Sequence, residues 1–408
     1  MRPFTSTISL EEARARLDAA LRPIIRVERV ALDDAAGRVA ARDVVSPIDV
    51  PPFARSAMDG YAVIAADTET AGRTTPVELQ LLDRIYTGKP STVTVMRGAC
   101  AEIATGAPLP DGADAVVMVE ETAKAPGDDI GDIGRIQILA KAAPGQNIGK
   151  RAADIATGDR VIAAGDVLMP SRVGALAAIG CAGVEVFAKP RVAILSTGNE
   201  VIAPGQTLAP GQIYDVNRFT LGAIVAAHGG IPEAHHPAED TIDALVDALD
   251  RSAQADLVVF SGGSSVGERD LIVDAVASRG EMIFHGIAVK PGKPTAFALV
   301  NGTPFFGMPG NPTSCLSNAY ILLVPFLRAL ARLPPHTPRT TRVRLGRRIV
   351  SVAGRHQFYT VRVNNGAAFP AFKGSGDITS LSHADGYIEI AADQSTVEEG
   401  TVVTVTLF

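Results

Sequence analysis

The 408-residue chain has no tryptophan, only three cysteines and no excess of positive charge, and each shortage removes a class of function. Without tryptophan, any stacking against a purine falls to Phe and Tyr. Cys100, Cys181 and Cys315 are widely spaced in apolar surroundings, so neither a disulfide framework nor a zinc knuckle is supported and buried packing is expected. The seven histidines form no HExxH pattern, and His235-His236 precedes Pro237 in a loop-like stretch, which argues against a soft-metal site. A net charge of −6 argues against a general nucleic-acid surface and provides no long-range field for anions. An anion site must therefore be built locally. Apolar runs of membrane-spanning length are missing, and MRPFTSTISLEEARARLD lacks the apolar stretch of a signal peptide. A cytoplasmic location is the expectation.

What is present is enough apolar content, 47%, for several cores, and the length suggests two to four domains. Residues 9–21 read as a helix, with Ser9 and Glu12 at capping-box spacing and Leu10, Ala13, Leu17 and Leu21 on one face. Pro47, Pro51 and Pro52 mark a boundary, after which short β-like runs continue to about residue 142. Residues 144–187 read as loop, strand and helix, too short for a separate core. The expectation is that they pack with the N-terminal helix, giving a discontinuous domain (1–50 and 143–187) with a β domain (51–142) inserted. From residue 188 to 333, strand and helix alternate: VAILS, helices at 219–227 and 241–249, DLVVF, a helix at 271–278, then a long helix at 313–331 with Pro312 at its first position and a kink expected at Pro325. That pattern predicts a doubly wound α/β domain with its ligand at the carboxyl ends of the strands. Residues 334–408 read as a further β domain, barrel-like. The predicted fold class is α/β plus β, multidomain.

Within the α/β region, three glycine-rich loops fall in about fifty residues: SGGSSVGERD, KPGKP and GMPGNPTS. Each follows or joins an apolar, strand-like run. A glycine turn between strand and helix lets backbone N–H groups converge on an anion at a helix N-terminus. Three together suggest a large, multiply anionic ligand. In the first, Gly262 and Gly263 allow close backbone approach, Ser264 and Ser265 are phosphate donors, and Asp270 opens a helix, where capping explains it equally well. In the second, Lys290 and Lys293 are held around a turn by Pro291 and Pro294, and their mutual repulsion calls for an oxyanion such as phosphate or molybdate. The third offers the amides of residues 310–314, after Pro309-Gly310 and opening a helix through Asn311-Pro312 to Ser314. A capping role accounts for Asn311 by itself.

Carboxylates complement these loops. Glu200, Asp240 and Asp270 fall near strand ends or helix starts, where carboxylates beside phosphate normally mean a hard cation such as Mg²⁺. Asp240 also fits a helix N-terminus with acidic residues in its first turn. In the β insertion, SAMDGYAV puts Asp59 at a turn, and TGAPLPDGADAVV puts Thr105 and Gly106 on a tight loop. Viewed alone, each is a turn.

Taken together, FARSAMDGYAV, TGAPLPDGADAVVMVE, LSTGNEV, SGGSSVGERD, KPGKP, GMPGNPTS and KGSGDITSLSHADG resemble, across essentially the whole chain, the MoeA family of molybdopterin molybdenumtransferases, which is related to the E domain of gephyrin. The resemblance implies an elongated homodimer of four-domain subunits whose molybdopterin-binding domain meets regions contributed by the partner. It implies insertion of molybdate into the dithiolene of adenylated molybdopterin, with Mg²⁺-dependent cleavage of the pyrophosphate link and release of AMP. It places functional positions on Asp59, Thr105, Glu200, Asp240, Asp270 and Lys290, with Lys293, Ser314 and Ser375 around the molybdate pocket. A MogA-type adenylyltransferase and apo-molybdoenzymes are the implied partners, and no nucleic acid or membrane is expected.

Three positions depart from the family pattern. Ser264 stands where many members have valine, Gly286 where many have lysine upstream of KPGKP, and Thr360 where an arginine usually follows the phenylalanine of GRxxF. Two positive charges are thereby lost, and Arg355 and Arg362 are the candidates to restore one. Two rival readings stand beside insertion. One is adenylylation of molybdopterin, which would consume ATP; the other is a scaffold that binds molybdopterin without chemistry.

Overall fold

Strands buried on both faces need near-continuous apolar runs, and the α/β region supplies them in Arg191–Ser196, Leu257–Ser261 and Thr303–Met308. A computed structural model describes residues 7–125, 134–235, 241–262 and 271–408. In it these strands join a six-stranded sheet, in the order Ile231–Ala234, Arg191–Ser196, Leu257–Ser261, Thr303–Met308, Ala296–Val300 and Gly280–His285. The first four are parallel and the last two attach through antiparallel pairings. Alternation then sends Val192, Ile194, Leu257, Val259, Phe306 and Met308 into one core and Ala193, Leu195, Val258, Phe260 and Phe305 into another. Helices cover both faces, Asn217–Ala227 and Pro312–Leu330 on the first, Ile242–Arg251 and Leu271–Ala277 on the second. This is the doubly wound domain expected.

Leu10–Ala20 forms as read, with Ser9 Oγ accepting the Glu12 N–H at 3.1 Å. Its packing differs from expectation. Leu10, Ala13 and Leu17 join the first face of the α/β sheet, because that core is where an unpaired apolar stripe was available. Residues 144–187 pack without it, contributing Ile162, Leu168, Leu176, Ile179, Val184 and Val186 to a core shared with Ala35 and Ala40. The chain accordingly divides into two compact units, Arg29–Val186 and residues 1–28 with 187–408.

Pro312–Leu330 is one apolar rod in three segments: α-helix Pro312–Asn318, a π-helical stretch Ala319–Leu323 and α-helix Val324–Leu330. Proline lacks an N–H and crowds the carbonyl one turn back, so the wide turn before Pro325 is the form the expected irregularity takes. With a mean hydropathy of 1.3, this helix is long and apolar enough to cross a membrane, contrary to the sequence expectation that no such segment exists. It is 72% buried inside the protein, as the central helix of a core.

Residues 340–408 close into a five-stranded barrel, in the order His356–Asn364, Ala367–Pro370, Thr340–Leu345, Val402–Leu407 and Gly386–Ile390, with the first and last strands paired. Leu345, Val361, Ala368, Ile388 and Val405 fill it. In the other unit, Gly60–Val63 lies inside a six-stranded sheet running from Ala115–Met118 to Thr122–Lys124, with apolar clusters on both faces. The β-rich insertion read from the sequence is thus a sheet with its own core.

Two measurements check this packing. Phe297 is fully buried among Phe284, Phe306 and Phe326, with ring centroids at 5.9, 4.9 and 5.5 Å, so Phe297→Ala should destabilise its unit by about 3–5 kcal/mol in urea. Burial pushes the thiols of Cys100 and Cys315 up to about 12, while Cys181 is partly exposed. A thiol reagent at pH 8 should therefore modify one cysteine rapidly and the other two only on unfolding.

Candidate functional site

Register brings the site together before any side chain does. Ser196 pairs with Ser261, and Ser261 with Met308, so three neighbouring parallel strands end at one level. Beyond each end lies a glycine: Gly198, Gly262 and Gly310. Gly262 takes φ +113°, and a Cβ there would stand 2.5 Å from the Thr197 carbonyl oxygen. Only glycine fits that approach. Gly310 faces it, its ideal Cβ position 3.5 Å from Gly262 Cα.

The segment after Gly198 turns back as a short pairing of Val201–Ile202 with Ile213–Tyr214, in which Ile213 N–H bonds to the Glu200 carbonyl at 2.8 Å. Asp215 follows, and its Oδ1 accepts the Arg218 N–H at 3.0 Å, satisfying one open amide at the start of helix Asn217–Ala227. Asn217 is buried and donates through Nδ2 to Ser261 Oγ at 2.7 Å and to the Gly310 carbonyl at 2.8 Å.

In the KPGKP loop, Val289–Lys290 pairs in parallel with His356 and Gln357 at the edge of the barrel, so Arg355 lies one residue from that pairing. Gly292 has φ +102°, and its carbonyl accepts Asn318 Nδ2 at 2.8 Å and Thr295 Oγ1 at 2.9 Å. Asn318 is fully buried on the helix that the third loop opens. The barrel loop at residues 374–378 is tied to that same opening: Asn311 Nδ2 donates to Ser375 Oγ at 3.1 Å, Thr313 N to the Ser375 carbonyl at 3.1 Å, and Thr313 Oγ1 to the Asp377 carbonyl at 2.7 Å. The Asn311 side chain makes no capping bond to its helix; its Nδ2 donates to Ser375 Oγ.

These pieces enclose a cavity of about 1230 Å³, lined wholly by the unit containing residues 187–408. Of the residues picked from sequence, Glu200, Gly262, Lys290, Lys293, Pro309, Gly310, Asn311, Ser314 and Ser375 line it. Gly263, Ser264, Ser265, Asp240 and Asp270 lie outside the described residues. Asp59 and Thr105 belong to the other unit, where Asp59 Oδ1 accepts the Thr105 N–H at 2.7 Å. The two turns are therefore one hydrogen-bonded structure.

The lining also includes Asp215, Asn217, Tyr214, Phe372 and Arg355. Sequence reading passed over the first four. The polar pair in DVN immediately before an apolar helix was a usable signal, whereas Phe372 is placed by barrel closure. Of the two candidate cations, Arg355 lines the cavity, whereas Arg362 donates to the His383 carbonyl. Gly286 has φ +97°, so a lysine there would be strained. Thr360 is buried, 2% exposed, with no partner for Oγ1 among the described residues.

Lys290, Lys293 and Arg355 thus face the same space as the carboxylates of Glu200 and Asp215. Asp215 Oδ2 is buried and unpartnered among the described residues. Two carboxylates with serine and amide oxygens are hard donors, and that set fits a small divalent cation such as Mg²⁺. Among the described residues no three His, Cys, Asp or Glu side chains gather as a metal cluster.

Three family models match in sequence: the MoeA N-terminal region (domain I and II) over residues 8–180, a probable molybdopterin binding domain over 193–329 and the MoeA C-terminal region (domain IV) over 342–408. Molybdopterin molybdenumtransferase 2 of Mycobacterium tuberculosis is 36% identical over 398 residues, 95% of each chain. The Haemophilus influenzae molybdopterin molybdenumtransferase is 32% identical over 98% of each. A molybdopterin biosynthesis MoeA protein from Pyrococcus horikoshii superposes with a TM-score of 0.85 at 38% identity, covering 98% of this chain and 99% of the other.

Gly292 tests how tightly the site is built. A Cβ there would sit 2.1 Å from Asn318 Nδ2 on a left-handed backbone, so Gly292→Ala should cost about 2 kcal/mol or more in urea unfolding.

Proposed function

Because the chain belongs to the MoeA family of molybdopterin molybdenumtransferases, we propose that it inserts molybdate into adenylated molybdopterin and releases AMP, as a step of molybdenum cofactor biosynthesis. The observation that carries this reading is one cavity in which glycine-loop amides, three cations and two carboxylates converge. The amides of Gly310, Asn311 and Ser314 in the third loop hold phosphate oxygens, and the N-terminus of the helix at Pro312 favours negative charge there. Lys290, Lys293 and Arg355, with Ser375, hold the molybdate substrate beside the dithiolene sulfurs. Ser314 lies under the same loop and supplies a further donor.

Glu200 and Asp215, with Asp240 and Asp270, would hold Mg²⁺, which when bound offsets charge on the departing phosphate. No covalent nucleophile is required. Cys315, the thiol nearest the loops, is fully buried and protonated at neutral pH. Rate comes from positioning and electrostatics. Asp59 and Thr105 are proposed as catalytic positions of the family. A cytoplasmic homodimer is the proposed state, receiving adenylated molybdopterin from a MogA-type adenylyltransferase and passing its product to apo-molybdoenzymes.

Adenylyl transfer is less well supported, because the barrel contributes Arg355 and Ser375 to the cavity, and these suit an oxyanion beyond the nucleotide. The purified protein supplied with adenylated molybdopterin and Mg²⁺ should release AMP on addition of molybdate, without ATP. Glu200→Gln should slow this about 100-fold while still binding the pterin. ATP-dependent turnover would indicate adenylylation, and binding without AMP release would indicate a scaffold.

A further inference from the structure

The side chain that joins two of the anion loops is one that neither the motifs nor the family positions single out. Asn217 begins helix Asn217–Ala227, is 8% exposed, and spends both amide hydrogens across the gap between neighbouring strand ends: one on Ser261 Oγ at 2.7 Å, one on the Gly310 carbonyl at 2.8 Å. Ser261 leads into Gly262, and Gly310 is the turn of the third loop, so a single planar carboxamide bridges the first loop and the third. The direct backbone link between these loops is long, Gly262 N to the Met308 carbonyl at 3.4 Å. The strand pairing of Ser261 with Met308 ends just before both glycines, and Asn217 continues the link by a side chain beyond it. Helix capping is not what Asn217 does. That role belongs to Asp215, whose Oδ1 takes the Arg218 N–H.

We propose that Asn217 is a positioning residue for the phosphate end of the substrate, holding the Gly310 turn against the Ser261 strand end so that the amides of the third loop keep one place for an anionic group. This rests on the functional reading above. The amino group of Asn217 is consumed by the two loops, and its Oδ1, buried and without a partner among the described residues, is an acceptor that cannot donate to an anion, so the residue acts on an anionic ligand through the loops. Lys290, Lys293 and Ser375 hold the oxyanion end by separate bonds, and molybdate binding should not depend on Asn217.

The test uses the full-length protein and two probes, AMP with Mg²⁺ and molybdate alone, titrated by calorimetry. Asn217→Ala removes both bonds. Asn217→Asp keeps the shape and leaves Ser261 able to donate, but sets a carboxylate oxygen against the Gly310 carbonyl. It serves as the second variant if the first folds poorly. The expected result is AMP affinity lowered at least about 10-fold in either folded variant, molybdate affinity within about two-fold of wild type, and, in turnover, a raised KM for adenylated molybdopterin with a smaller change in kcat. A folded variant that binds AMP like wild type overturns the inference, even if its Tm falls. Loss of both probes together also overturns it, since that marks general collapse of the cavity. Wild-type protein that binds neither probe overturns the functional reading itself, and this inference with it.

Discussion

Backbone amides hold an anion only when the loops carrying them cannot drift, and in this chain buried carboxamides provide that constraint. Asn217 bridges the first and third loops, and Asn318 holds the second against the helix that the third loop opens. Both are buried, so each hydrogen bond is stronger than at the surface and costly to leave unmade. Glycine makes this arrangement necessary. A loop that approaches a ligand through bare backbone has few side-chain contacts of its own, and its rigidity must come from neighbours. The carboxamide suits this task because one planar group can donate twice without bringing charge into the core.

Charge is arranged on the same local principle. The chain is acidic overall, yet Lys290, Lys293 and Arg355 face one cavity with Glu200 and Asp215. Long-range attraction of an anionic substrate is not available from such a balance, and recognition falls to short-range contacts. Arg355 stands close in sequence to a position where the family pattern differs. Where the family pattern places an arginine, this chain has buried Thr360, and a cation five residues earlier lines the cavity. The parallel pairing of Val289–Lys290 with His356 and Gln357 brings that neighbouring backbone to the lysine loop, so basic groups on the two strands face one space.

Much of this was legible from residue order. The three loops, the capped helix after Ser9, the alternation of strand and helix and the separate β regions all follow from local pattern, because each is decided within a dozen residues. What escaped was decided at long range. Helix Leu10–Ala20 is amphipathic in sequence, but its partner is strands nearly two hundred residues away, and nothing local separates that choice from packing against residues 144–187. Asn311 looked like a cap, and its amide was drawn instead to Ser375 in the barrel. Asn217 and Asp215 drew no notice because single polar residues at a helix start are common, and only the folded chain brings Asn217 to Ser261 and both residues to one cavity.

The barrel is the part of the architecture that decides which chemistry the loops can support. A parallel sheet ending in glycine turns and helix N-termini can hold phosphate and asks for nothing more. Here the third loop is fastened by three hydrogen bonds to residues 375 and 377 of another domain, and the second loop is paired to a barrel strand. Such fastening is not needed for the barrel to fold, since its own core is complete around Leu345, Val361, Ile388 and Val405. It holds Ser375 beside the glycine loops, in a cavity that Arg355 also lines. A nucleotide alone has no use for a second set of anion donors there, whereas a reaction that brings an oxyanion to a nucleotide-linked ligand needs both sets held in fixed relation.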